Sequence, residues 1–115
     1  MIPITPETVR AVYTMLLSFP PFSKWNLPAA NKVTFVVAPL KSMWADFDPN
    51  SHTIRVSTLK VTTFLSLVTA IAHEMVHLKQ DVSGRWPAKD AHNKHFEKLA
   101  ARVCKHFPFA DIGNF

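Results

Sequence analysis

The chain is predicted to be an α+β domain, with a small antiparallel sheet packed on a central helix and a further helix at each end. Three observations predict this: helical spacing of apolar residues near both ends, a block of short β-branched alternating segments between residues 33 and 57, and a long apolar stretch after residue 62. Its 115 residues, 48% hydrophobic and 18% charged, match one globular domain spanning 1–115. At that length folding buries roughly two-thirds of the unfolded surface, so a core forms without staples. The lone Cys104 excludes a disulfide framework and a Cys-rich zinc finger, and it suits a reducing, cytoplasmic setting. With 2 Gly and 9 Pro, a Gly-rich phosphate loop or dinucleotide fold is excluded as well.

Thr5 caps the first helix, with Pro6 at its first position and Glu7 in its first turn. Val9, Val12, Tyr13, Leu16 and Leu17 then recur at helical spacing, which gives a helix over 6–18, stopped by Pro20-Pro21. The stretch to Asn31 is a loop. Residues 33–37 are β-branched and aromatic, residues 42–48 alternate, and 53–57 alternate again with Ile54 and Val56 on one face. A turn at 48–51 joins the last two.

From about residue 62, Leu67, Ile71, Met75 and Leu78 line one helical face, and Phe64, Val68 and Ala72 an adjacent one. A helix apolar nearly all round is a central one. Gly84 is its exit cap, and Trp86-Pro87 keeps the next segment out of helix. Asp90 is then expected to cap a last helix carrying Phe96, Leu99, Ala100, Val103 and Phe107 inward. The apolar run at 61–78 holds Ser and Thr and is broken by His73, Glu74 and His77, so no membrane span is expected. The start lacks a basic region before an apolar run, and export is not expected either.

The formal charge of +5 makes polyanions, DNA among them, candidate partners. The basic residues are scattered from Arg10 to Lys105 without a dense run, so sequence alone does not show a patch.

His73-Glu-Met-Val-His77 fits H-E-x-x-H inside the central helix. Residues four apart share a helix face, so two imidazoles there can reach one ion, as in a zinc site. Glu74 projects beside them, where a carboxylate can take a proton from water and return it to a leaving amine. A catalytic zinc needs a third protein ligand and an open fourth position. Cys104, Asp81, His92 and His95 are the candidates for that ligand, and spacing alone does not choose between His92 and His95. His52 and His106 read as a strand-end residue and a helix C-terminal residue favoured by the dipole.

With these residues the sequence resembles the SprT-like zinc metallopeptidases. The resemblance rests on His73-Glu-Met-Val-His77-Leu78, on His92-Asn-Lys-His-Phe96, which is similar to a downstream H-G-x-x-F element, and on Thr53-Ile-Arg-Val-Ser57 with Leu59 as the strand before the active helix. It covers residues 52–107. The resemblance implies a zincin-like fold, zinc held by His73, His77 and His92, and Glu74 as general acid/base. Asn93 stands where the family element has glycine.

The expected activity is therefore zinc-dependent peptide hydrolysis, on substrates that include DNA-associated proteins, with the peptide extended along the sheet edge. His95, Arg85 and Tyr13 are candidate donors to the oxyanion, with His95 at the cleft rim. Two alternatives remain at this level. One is a metal-dependent ribonuclease, disfavoured because small zinc RNases carry glycine where Glu74 stands. The other is a basic nucleic-acid-binding module with structural zinc, which would show a fully ligated metal.

Overall fold

Thr5 opens the first helix. In the computed structural model, which describes residues 3–87 and 90–107, its hydroxyl accepts the Thr8 N–H at 3.2 Å. Helix α1 runs Pro6–Leu17 and buries Val9, Val12, Tyr13 and Leu16, the expected face. The connection that follows contains two short 3-10 turns, Phe22–Lys24 and Ala30–Lys32, and sends Phe22 and Trp25 into the core. Lys89, one of the scattered basic residues, lies outside the described residues.

Three strands follow: β1 (Thr34–Ala38), β2 (Ala45–Asp48) and β3 (Thr53–Ser57). Their order is β1-β3-β2, with β2 antiparallel to β3 and β1 parallel to it. The sheet is thus mixed, which corrects the antiparallel expectation. Its cause lies in burial. Ile54 and Val56 are fully buried, so β3 takes the middle, whereas β2 carries Asp46 and Asp48 and goes to the edge. The chain from β1 to β2 must then pass over the place that β3 fills. Ser57 pins that crossing: its hydroxyl donates to the Leu40 carbonyl at 2.6 Å and its N–H to the Trp44 carbonyl at 2.8 Å.

Helix α2 (Phe64–Val82) starts at a capping box of Thr63 and Ser66, each side chain accepting the other's backbone N–H. Every residue from Ser66 to Leu78 is buried, as a helix packed by α1, the sheet and the last helix must be. It ends with the Arg85 N–H on the Gln80 carbonyl and the Gly84 N–H on the Asp81 carbonyl, both 2.9 Å. Gly84 at φ +71° makes this left-handed exit without the cost a side chain would add.

Helix α3 (Lys94–His106) begins one turn later than expected. Asn93, not Asp90, is its N-cap, accepting the Phe96 N–H at 3.0 Å. Asp90 instead accepts the His92 N–H at 3.0 Å and turns the chain just before the cap. Phe96, Leu99, Ala100 and Val103 are buried against the core, and Cys104 packs at its margin. Among the described residues no helix is long and apolar enough to cross a membrane.

Candidate metal centre

His73 and His77 stand one turn apart on α2, and both are buried. His92, held by the Asp90 turn and the Asn93 cap, reaches them from the segment before α3. The three Nε2 atoms form a nearly equilateral triangle: 3.2 Å from His73 to His77, 3.2 Å from His73 to His92 and 3.1 Å from His77 to His92. Ligand atoms about 2.0–2.1 Å from a tetrahedral ion lie roughly 3.3 Å from one another, so the donor set fits one small cation. Three equal edges do not fit hydrogen bonding among the rings, because each nitrogen carries one in-plane lone pair or one proton. The three histidines lie close enough to bind a metal ion.

Phe96 backs the triad, its ring 4.7 to 5.0 Å from all three imidazoles. Trp86 packs on the outer side of His77 at 5.7 Å. Burial pushes the His77 imidazole down to about 4, so it stays neutral, the form that binds metal.

Glu74 is 2% exposed and shares a cleft of about 470 Å³ with the three histidines. The other walls include Trp44, Asp46 and Phe47 from the β2 side and Trp86 from the loop. Burial, and secondarily the Asp46 charge, raises the Glu74 carboxyl well above its usual range. Arg55 holds Asp46 through Nε to Oδ1 at 2.9 Å and a second bond from the same guanidinium to Oδ2.

No protein-family model, curated protein or solved structure matches this chain significantly. The site's own geometry therefore carries the functional argument.

Other expected residues fall elsewhere. His95 is one turn from His92 but absent from the cleft walls; its Nδ1 is buried without a hydrogen-bond partner, and its pKa is lowered by burial and by Arg85, Lys79, Lys98 and Arg102. The Tyr13 hydroxyl donates to the Pro28 carbonyl at 2.6 Å, away from the cleft, and Arg85 does not line it. None of these three lines the cleft. Ser42, Trp44 and Trp86, whose side chains carry hydrogen-bond donors, are among the residues that line it. Asp81 pairs with His52 at 2.6 Å and does not join the metal set. His106 ends α3, exposed.

Sequence reasoning missed Asp46, Trp44, Trp86 and Gln80. For Gln80 a signal existed: an amide three residues after His77, on the same face of a helix this apolar, needs a partner.

Proposed function

We propose that this chain is a zinc-dependent peptidase of SprT-like, zincin-like type, in which His73, His77 and His92 hold the metal and Glu74 is the general acid/base. One observation carries the reading: the three converging nitrogens and a buried carboxyl of raised pKa line the same open cleft. Three protein ligands with a cleft beside them leave a fourth position for water, which favours a catalytic over a structural zinc. When bound, zinc supplies Lewis acidity, acidifying water and polarising a carbonyl.

The chain's own groups do the rest. Glu74, its pKa raised by burial, can take a proton from the attacking water and return it to the departing amine. Asp46 and its Arg55 partner tune that proton affinity from the sheet side. Strand β2 is an edge strand bordering the cleft, and an extended peptide can add to it through backbone hydrogen bonds. Recognition of that kind reads little sequence. Met43, Trp44 and Trp86 offer apolar contact to side chains beside the scissile bond.

A DNA-associated substrate has one supporting feature. Lys94, Lys98, Arg102 and Lys105 recur at spacings of four, four and three along the exposed side of α3, and Lys24 lines a shared surface pocket with Arg102 and Lys105. Such a stripe suits a phosphate backbone. The primary test is cleavage of casein by the purified chain. Activity should vanish with a chelator and return with added zinc, and activity that survives chelation would overturn the proposal.

A further inference from the structure

Gln80 is fully buried on the last turn of α2, and neither metal ligation nor proton transfer uses it. A buried amide must satisfy its hydrogen bonds internally. Gln80 does so through three partners on two segments. Its Oε1 lies 2.7 Å from Nδ1 of His77, its Nε2 donates to the Ala91 carbonyl at 3.0 Å, and the same nitrogen lies 3.4 Å from Oδ1 of Asn93. Its backbone carbonyl takes the Arg85 N–H. Ala91 and Asn93 flank His92, so one side chain grips a ligand on the helix and the two neighbours of the ligand on the loop.

The chemistry of the partners fixes the amide's orientation. The Ala91 carbonyl can only accept, so the amide NH2 must face it. The amide oxygen then faces Nδ1 of His77, which must carry a proton. That leaves Nε2 of His77 with a bare lone pair directed at the other two histidines, the tautomer a metal needs.

We infer that Gln80 is the positioning residue of this centre, selecting the His77 tautomer and fastening the His92 segment so that the three nitrogens converge. The inference rests on the metal-binding reading of the triad. Its test is zinc affinity, measured by competition with a chromogenic chelator, for the parent, Gln80→Leu and Gln80→Glu, together with imidazole nitrogen shifts of the metal-free parent. Gln80→Leu should lose about 10- to 100-fold in affinity with its metal-free circular dichroism unchanged. Gln80→Glu keeps an oxygen for Nδ1 but cannot donate to the Ala91 carbonyl, so it should recover part of the loss. The nitrogen shifts should show His77 protonated at Nδ1. Equal zinc affinity in the parent and Gln80→Leu, an unrecovered loss in Gln80→Glu, or a His77 proton on Nε2 would overturn the inference. If Gln80→Leu does not fold, the Glu variant and the parent's nitrogen shifts decide it. A parent that binds no zinc refutes the metal reading, whereas the His77 tautomer reports on Gln80 alone.

Discussion

Arg55 and Asp46 face each other across the β2–β3 ladder and form a two-point ion pair at the wall of the cleft that holds Glu74. Asp46 contributes to the raised Glu74 pKa even with this partner in place. Arg55→Met leaves the Asp46 charge unopposed, which should raise the Glu74 pKa further. In casein hydrolysis the acid limb of the pH profile should move to higher pH, with zinc content unchanged. An unmoved limb would show that Asp46 does not communicate with Glu74.

Two buried groups contribute to the pH dependence of the metal-free chain with opposite signs. His77 falls from 6.5 to about 4 on folding, so the unfolded chain binds more protons in that interval and stability drops as pH falls through it, by roughly 3 kcal/mol in all. Glu74 is raised, so the folded chain binds more protons above the ordinary carboxyl value and stability drops as pH rises. Glu74→Gln should therefore raise the denaturation midpoint of the metal-free protein at pH 7.5, and its advantage should shrink toward pH 4.5. Urea titrations at both pH values check this; a less stable variant at pH 7.5 contradicts it.

The third ligand separates two histidines one turn apart. His92→Ala should remove most of the zinc affinity, because two helix histidines leave the ion under-coordinated, whereas His95→Ala should keep the metal. Metal analysis of both variants decides, and the reverse outcome would mean that the segment before α3 is placed wrongly.

Much of this arrangement was legible in the sequence, for physical reasons that differ by element. The cap at Thr5 and the exit at Gly84 are local, so residue types in a row suffice. The convergence of His73 and His77 follows from helix periodicity alone. The place of β1 did not follow, because parallel pairing with β3 depends on which strand buries its face most completely, a property of the assembled core. The start of α3 is ambiguous in the sequence because Asp90 and Asn93 both suit an N-cap, and the structure gives the cap to Asn93. The second carboxylate, Asp46, comes from a strand 28 residues before Glu74 in sequence, and nothing local ties the two together.

The basic side of α3 carries a salt-dependent expectation. Binding to duplex DNA should weaken steeply with added salt, and reversing Lys98, Arg102 and Lys105 to Glu should abolish it while zinc content stays the same. A mobility-shift assay across a salt series measures both. Absence of binding at low ionic strength would leave a peptidase without a DNA tether.

The central claim is that Glu74 moves the proton in a zinc-dependent hydrolysis, and casein turnover by the zinc-loaded Glu74→Gln variant tests it most directly. The substitution keeps the shape of a buried side chain and all three histidines. Zinc content should remain at about one per chain while cleavage disappears, because the amide cannot accept the water's proton. Cleavage at the parent's rate with the metal in place would contradict the claim.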